Sequence, residues 1–292
     1  MNAITENLDL PVSTGAARSI GDILVSSGRL SAPDAERVLQ RQQKDRSQFG
    51  DAALALKLLT REDIDFALSK QFDYSYLSAQ DTSLSPELLA AYKPFSKVGE
   101  NLRAVRSQLM LRWFNNDPGH KVIAMVSAGQ NEGRSFIAGN LAIVFAQQGQ
   151  RTLLIDGNLR RARQHELFLL GKSAGLSGIL ADRAGIEAAL QIPGIAGLSV
   201  LPAGAVPPNP QELLGRPAFG ALLQSAAERF DVVIIDTPAG TDYADAEIIA
   251  SRAGAAVVVT RKDKSLVPDT ALLVRRLQDS GVVVVGSVLN DD

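Results

Sequence analysis

The chain has 292 residues, which is enough for two domains or one large domain with a full hydrophobic core. Its apolar content of 46% and charged content of 21% are ordinary for a soluble globular protein. Its net charge of −2 does not indicate the basic surface that binds nucleic acid. There is no cysteine, which excludes disulfides and thiolate metal sites, and with only 2 histidines a zinc site is not expected.

The sequence carries no signal for a membrane. No apolar run approaches the roughly 18 residues that span a bilayer. The N-terminus lacks the basic region and the apolar core of a signal peptide. We therefore expect a cytoplasmic protein that reaches a membrane only through a partner.

An internal repeat follows a polar tail. Residues 1–15 are predicted to be mobile, and residues 16–77 are predicted to form a small helical domain. Within this domain the segment 20–22 (IGD) is matched by 49–51 (FGD), and the offset of 29 residues continues through later apolar positions. Two such units are expected to pack together, because one helical pair alone cannot bury its apolar face.

Each unit of the repeat is predicted to be a short helix, a turn and a second helix. The turn falls at Gly28 in the first unit and at Lys57 in the second. The second helix is capped by Ser31 or Thr60, and an acid lies three residues further on in both cases, as in a variant of the capping box.

Residues 78–95 contain serine, proline and short helical signals, and they are predicted to be a linker. A helix is then expected to begin near Ser96. Glu100, Arg103 and Arg106 lie on one face of that helix. The face is either solvated, with an ion pair between neighbours, or it pairs with another subunit.

A phosphate-binding loop is predicted between a buried strand and a helix. The apolar run 122–126 indicates the strand, Gly133 ends the loop, and Ser135 opens the helical pattern. In such a loop, backbone N–H groups and the helix N-terminus wrap a phosphate, and a hydroxyl reaches Mg²⁺. Arg134 stands where the usual lysine lies, and Ala128 stands where the usual first glycine lies.

Acidic residues end two further buried strands. Asp156 follows the run RTLLI, and Asp236 follows DVVII. At the carboxyl ends of parallel strands beside a phosphate loop, both are well placed to hold Mg²⁺ or its water. Strands that alternate with helices and are almost wholly apolar predict an α/β fold: a P-loop NTPase domain with a mostly parallel sheet covered by helices on both faces.

Residues 19–77 resemble the N-terminal domain of type II secretion and pilus ATPases. The resemblance rests on the double repeat, which is similar to the family pattern R-L-G-x-x-L-V-x-x-G-L-L, and it implies a packed helical module that can bind cyclic di-GMP. Ser19 and Gln48 stand at the arginine positions of the two repeats. Arginine is the residue suited to clamp a phosphodiester.

Residues 96–292 resemble the bacterial tyrosine kinases of polysaccharide export. With the N-terminal module, the chain is similar to the EpsG-type chain-length-determinant kinases. The motifs that carry the resemblance are Glu100-x-x-Arg103-x-x-Arg106, 132–135 (EGRS), 153–156 (LLID), 207–210 (PPNP), 234–238 (IIDTP) and 288–290 (VLN).

This resemblance implies the roles of individual residues. Asp156, as the likely base toward a tyrosine hydroxyl, and Arg134 are the implied catalytic residues, and Ser135, Asp156 and Asp236 are the implied residues around Mg²⁺. The implied ATP-binding residues are Gln130, Asn131, Glu132, Gly133, Arg134, Ser135, Phe136 and Asn290. Ring assembly through Glu100, Arg103 and Arg106 is implied as well. A membrane-anchored chain-length regulator is the implied activator, which would bring the protein to the inner membrane.

Three functions stay open. The chain is a working kinase, a nucleotide-binding scaffold that regulates polymer length through assembly, or a partition- or division-type ATPase. The last usually carries a Lys-Gly-Gly stretch where 127–129 (SAG) stands here. Asn158 replaces the second aspartate of the kinase motif, which removes one carboxylate from the metal and base region. If the kinase modifies itself, Tyr92 is expected to be the most mobile acceptor.

Overall fold

The computed structural model describes residues 19–71, 76–78 and 80–291. The chain divides into two compact units, Met1–Tyr74 and Ser75–Asp292. The tail predicted at 1–15 lies outside the described residues. None of the helices in the described ranges combines the length and the apolar character needed to cross a bilayer.

The first unit contains the helical double repeat. Its described helices are α1 (Ile20–Ser26), α2 (Ala32–Asp45), α3 (Phe49–Ala55) and α4 (Arg61–Gln71). The two turns are equivalent, because Gly28 and Lys57 both have left-handed backbones, with φ of 73° and 55°. The caps also have the expected form, since the Ser31 and Thr60 hydroxyls each accept a backbone N–H bond of 3.2 Å from the aspartate three residues on.

The second unit is an α/β domain built on one seven-stranded sheet. The strands are β1 (Val122–Val126), β2 (Thr152–Asp156), β3 (Leu190–Gln191), β4 (Leu198–Leu201), β5 (Val232–Asp236), β6 (Ala255–Arg261) and β7 (Val283–Asn290). Their order is β3-β4-β2-β5-β1-β6-β7, and every pair except β3–β4 is parallel. The predicted fold class, with a mostly parallel sheet, is confirmed.

Helices cover both faces of this sheet. They are α5 (Leu89–Tyr92), α6 (Lys97–Leu109), α7 (Arg134–Gln147), α8 (Gln164–Leu167), α9 (Gly175–Leu180), α10 (Pro210–Gly215), α11 (Pro217–Arg229), α12 (Asp245–Ala253) and α13 (Val267–Asp279). A π-helical turn, Met110–Phe114, follows α6. Alternate residues of β1 enter different cores: Ile123 and Met125 pack on the side of α7, and Ala124 and Val126 pack on the side of α12.

The segment 78–95 was predicted to be a linker, and this prediction needs correction. Leu84, Leu88, Ala90 and Ala91 are buried in the same core as α7. The prediction failed because the serine and proline residues of 78–95 suggest a loop. The apolar residues between them pack against α7. The segment therefore belongs to the α/β domain.

Asn140 in the middle of α7 fastens this segment. Its Oδ1 accepts a bond of 2.8 Å from the Ala90 N–H, and its Nδ2 donates to the carbonyl oxygens of Glu87 (3.1 Å) and Phe136 (2.9 Å). The side chain is completely buried. Two of these bonds reach Glu87 and Ala90, so the asparagine amide is a buried polar link between this segment and α7.

We predict that Asn140→Ala destabilises the α/β domain by about 2–4 kcal/mol, because it leaves the buried Ala90 N–H without an acceptor. For a unit of this size the melting temperature should fall by roughly 5–10 °C. Limited proteolysis should show faster cleavage within 78–95. Asn116→Ala, which removes an exposed amide, is the control and should change neither measurement. Equal protease resistance of the two variants would contradict the anchoring role.

Candidate functional site

The phosphate loop has the strand–loop–helix geometry that the sequence predicts. It runs from the end of β1 to the first turn of α7, with Gly133 as the N-cap residue of that helix. Gly133 has a φ of 94°, and a Cβ at this position would lie 2.2 Å from Nδ2 of Asn290. Asn290 itself donates a bond of 3.3 Å to the Glu132 carbonyl from the end of β7. Glycine is therefore required where the loop, the helix and β7 meet.

A cavity of about 570 Å³ lies above this loop, at the carboxyl ends of the strands. All eight residues predicted to bind nucleotide line it: Gln130, Asn131, Glu132, Gly133, Arg134, Ser135, Phe136 and Asn290. The remainder of the wall comes mainly from the loop after β2 and from the loop after β5. This volume lies within the range of small-molecule and cofactor sites.

Arg134 lines the cavity, but two of its side-chain nitrogens are bound to the protein itself. Its Nε donates a bond of 2.8 Å to the Thr237 carbonyl, and its Nη1 donates to the Gly129 carbonyl (2.9 Å) and to the Ser127 hydroxyl. Only 7% of the residue is exposed. The guanidinium therefore joins the start of the phosphate loop to the residue after β5, and it does so with backbone oxygens as its main partners.

Asp156 and Asp236 lie side by side under the cavity. They are paired residues at the ends of β2 and β5, and both are completely buried. Asp156 accepts backbone N–H bonds from Asn158 (3.2 Å), Arg163 (2.9 Å) and Gln164 (2.9 Å). The carboxylate predicted as a base is thus enclosed by the loop that follows its own strand.

The pair is electrostatically unfavourable without a cation. Burial, together with the charge of Asp236, raises the pKa of Asp156 from 3.8 to about 8. Burial also raises the pKa of Asp236, but the neighbouring charge of Arg134 and the hydroxyl of Ser135 oppose that rise. Burial thus disfavours the ionised form of both carboxyls, and the charge of Arg134 opposes this effect at Asp236.

The residues fit a magnesium ion. Oδ1 of Asp236 is buried and has no hydrogen-bond partner within the described ranges, and such an orphan oxygen suits a cation or its bound water. Ser135 and Asp236 are the protein groups that would hold Mg²⁺. No group of three potential metal-ligating side chains occurs in the described part of the chain.

Gln164, which the sequence analysis missed, joins the two acids. Its side-chain Nε2 donates to Oδ2 of Asp236 (2.8 Å), while its backbone N–H donates to Asp156. A second group lies at the rim, where Arg160 forms an ion pair with the buried Asp245 (2.7 Å) and stacks on the ring of Tyr243. Arg160 could have been identified from its place in the Leu-Arg-Arg motif. Gln164 could not, because a glutamine at the start of a short helix gives no sequence signal of a functional role.

The predicted assembly face is divided. Glu100 is exposed, but Arg103 donates to the Pro94 carbonyl and pairs with Glu100, and Arg106 donates to the Val144 carbonyl (2.9 Å). Both arginines therefore help to dock α6 on the domain. The exposed part of this face is mainly the glutamate.

Comparison with known proteins places the chain among kinases. The tyrosine-protein kinase etk of Escherichia coli (strain K12) is 33% identical over 202 residues, which make up 69% of this chain and 28% of that protein. The chain thus spans less than a third of this relative. The solved kinase domain of the E. coli tyrosine kinase ETK has 31% identity and a TM-score of 0.68, and the match covers 73% of this chain and 84% of that one.

A more distant structure shares the fold. The septum site-determining protein MinD from Pyrococcus horikoshii OT3, complexed with Mg-ADP, has 25% identity and a TM-score of 0.52, and the match covers 58% of this chain and 70% of that one. No protein-family model matches the chain.

The raised pKa of Asp156 predicts how the stability of the ligand-free protein depends on pH. Because the folded-state pKa of about 8 lies above the ordinary aspartate value of 3.8, the native state binds more protons than the unfolded state between these values. The contribution of this carboxyl is complete below about pH 4 and is lost as the pH rises through 8. Asp156→Asn should therefore gain in melting temperature relative to the wild type, by several degrees, from pH 5 to 8.5.

Differential scanning fluorimetry without nucleotide or Mg²⁺ measures this difference. The matched control is Asp279→Asn, which changes an exposed aspartate at the end of α13. Its difference from the wild type should stay constant over the same range. Parallel curves for Asp156→Asn and the wild type would mean that Asp156 is ionised in the native state.

Proposed function

Because the chain belongs to the family of bacterial tyrosine kinases, we propose that it binds MgATP and transfers the γ-phosphoryl group to a protein tyrosine. We further propose that this activity serves the control of chain length in exopolysaccharide export. The observation that carries the proposal is the cavity above the phosphate loop, which gathers every residue predicted to bind nucleotide.

The phosphates would lie against the N-terminus of α7. Gly133, Arg134 and Ser135 form the N-terminal end of this helix and line the cavity, and the helix dipole favours negative charge there. Mg²⁺, held by Ser135 and Asp236, would neutralise charge on the phosphate oxygens. Phosphoryl transfer needs little more than such positioning and charge stabilisation.

We assign Asp156 as the group that accepts the proton of the tyrosine hydroxyl. This carboxylate is enclosed by the loop 157–163. An incoming hydroxyl reaches it only when that loop opens. Opening admits water, which removes the burial that raises the pKa of Asp156, so the same movement exposes the base and lowers its pKa.

The acceptor tyrosine is assigned to another protein molecule. The hydroxyl of Tyr92 donates a bond of 2.8 Å to the Leu84 carbonyl and accepts one of 3.1 Å from the Leu84 N–H, and its ring packs in the core. The expectation that Tyr92 is the most mobile acceptor is therefore wrong. Tyr243 lines the cavity and is 47% exposed, but Arg160 lies 3.8 Å above its ring.

A second candidate function is a nucleotide-binding scaffold with weak or absent transfer activity. The inward position of Arg134 favours it, since the cation that normally contacts the phosphates is engaged with Thr237 and Gly129. Such a protein would regulate polymer length through its assembly state. Nucleotide would then act as a ligand that stabilises one conformation.

Both candidates include the same partners. We propose that the chain forms homo-oligomers through the face that carries Glu100, and that a membrane-anchored chain-length regulator holds it at the cytoplasmic side of the inner membrane. The helical unit is proposed to dock a partner protein. Binding of cyclic di-GMP to this unit is a weaker proposal, because Ser19, at one arginine position, is used to cap α1.

A transfer assay with γ-labelled ATP, Mg²⁺ and a glutamate–tyrosine copolymer tests the function. We expect labelling of the copolymer by the wild type and more than tenfold less labelling by Asp236→Asn, which removes the proposed metal ligand. Arg134→Lys frees a shorter cation from Thr237, so it should raise turnover by several-fold.

The possible results separate the two candidates. Calorimetric binding of MgATP without transfer by the wild type, combined with transfer by Arg134→Lys, identifies the scaffold. If neither protein binds nucleotide in the calorimeter, the site is not a nucleotide site and both candidates fail.

The assembly proposal predicts that Glu100→Lys shifts the protein toward monomers, because it reverses the charge that this residue exposes on the proposed subunit face. This variant is preferable to changes at Arg103 or Arg106, which also hold α6 on the domain. Light scattering gives the mass. Gln108→Lys adds a charge to an exposed position of the same helix and should leave the mass unchanged. An oligomeric mass that Glu100→Lys does not reduce would assign this glutamate to a solvated surface.

A further inference from the structure

We propose that Arg161, and not Arg134, supplies the positive charge that contacts the terminal phosphate of ATP in this protein. This inference rests on the proposed nucleotide-binding function. It assigns a phosphate-binding role to a residue outside the phosphate loop, and it gives Arg134 a structural role within that loop.

Arg134 is committed to the protein backbone. Its guanidinium donates to the carbonyl oxygens of Thr237 and Gly129 and to the Ser127 hydroxyl, and the residue is almost completely buried. Through Nε and Nη1 the side chain joins the start of the phosphate loop to the residue that follows β5. Its bonds therefore favour a role as a brace that keeps the loop open for phosphate.

Three other arginines line the cavity. Two of them are paired with carboxylates, and the third lies away from the strands that end in Asp156 and Asp236. Arg160 forms an ion pair with the buried Asp245. Arg163 forms an ion pair with Glu87, with both carboxylate oxygens within 2.8 Å of its Nη2. Arg261 donates to the Asn131 carbonyl from the end of β6. In the sheet, β6 lies on the far side of β1 from β5 and β2, whose acids mark the metal end of the site.

Arg161 combines the right position with a charge that no acid neutralises. It follows β2 and is exposed at the cavity wall. Its Nη1 donates a bond of 2.6 Å to the side-chain oxygen of Gln130, a residue of the phosphate loop. No carboxylate lies within ion-pair distance of its guanidinium in the described part of the chain. Gln130 is a neutral partner, so exchanging it for a phosphate gains a charge-assisted bond.

Asn158 holds the backbone of this arginine. Its Oδ1 accepts a bond of 3.0 Å from the Arg161 N–H. An aspartate at 158 could accept the same bond, but it would add a negative charge beside Arg161 and the phosphates. The neutral amide therefore positions Arg161 and leaves its charge available to the ligand.

Calorimetry of MgATP and MgADP with four proteins tests the inference, because a group that contacts the terminal phosphate changes the ratio of the two dissociation constants. The wild type should prefer MgATP. Arg161→Met should lose about tenfold of this preference, with an unchanged melting temperature for the ligand-free protein. Arg163→Met is the matched control from the same loop and should keep the ratio within about twofold.

Arg134→Met distinguishes the two roles. As a brace, it should lower the melting temperature of the ligand-free protein by several degrees and weaken MgATP and MgADP equally, which leaves their ratio unchanged. Loss of the MgATP preference in Arg134→Met but not in Arg161→Met would overturn the inference. So would an equal loss in Arg161→Met and Arg163→Met, or a wild type without any preference. If the wild type binds neither nucleotide, the proposed function itself fails, and the inference fails with it.

Discussion

Two carboxylates buried next to each other are the constraint on which the rest of the site depends. Asp156 and Asp236 end adjacent parallel strands, so the sheet itself forces them together in a region closed to water. Burying like charges is costly unless hydrogen bonds, cations or protons compensate. Here three backbone N–H groups donate hydrogen bonds to Asp156. The charge of Arg134 and a hydrogen bond from the Gln164 amide stabilise Asp236. The N-terminus of α7 and the loop after β2 are thus held by the same pair.

Much of the fold was predictable because it follows from local patterns. A buried parallel strand is almost wholly apolar, and each predicted strand of this kind is present in the sheet. The caps of the helical repeat were equally readable, since a hydroxyl and an acid three residues on define them. The segment 78–95 was misread because its partner is distant in sequence. The Ala90 N–H donates a hydrogen bond to Asn140, which lies fifty positions further along the chain, and no local sequence pattern predicts this bond.

The candidate site divides in the same way. The residues that line the cavity were predictable, because backbone geometry places the whole phosphate loop beside the ends of the strands. The direction of the Arg134 side chain was not, since it depends on the carbonyl of Thr237, about one hundred residues away. Gln164 was missed for a related reason. It acts through its place between two acids on different strands, and its residue type alone suggests no chemistry.

The two departures from the kinase pattern can be understood together as a balance of charge. Arginine in place of lysine at 134 has a longer, forked side chain that reaches backbone oxygens on both sides of the loop, which withdraws one positive charge from the phosphates. Asparagine in place of aspartate at 158 removes one negative charge from the same region. The first change makes the local electrostatic potential less favourable to an anionic ligand, and the second makes it more favourable. Together they have opposing effects on the binding of an anion. The two exchanges together are therefore compatible with the anionic ligand that we propose for this site.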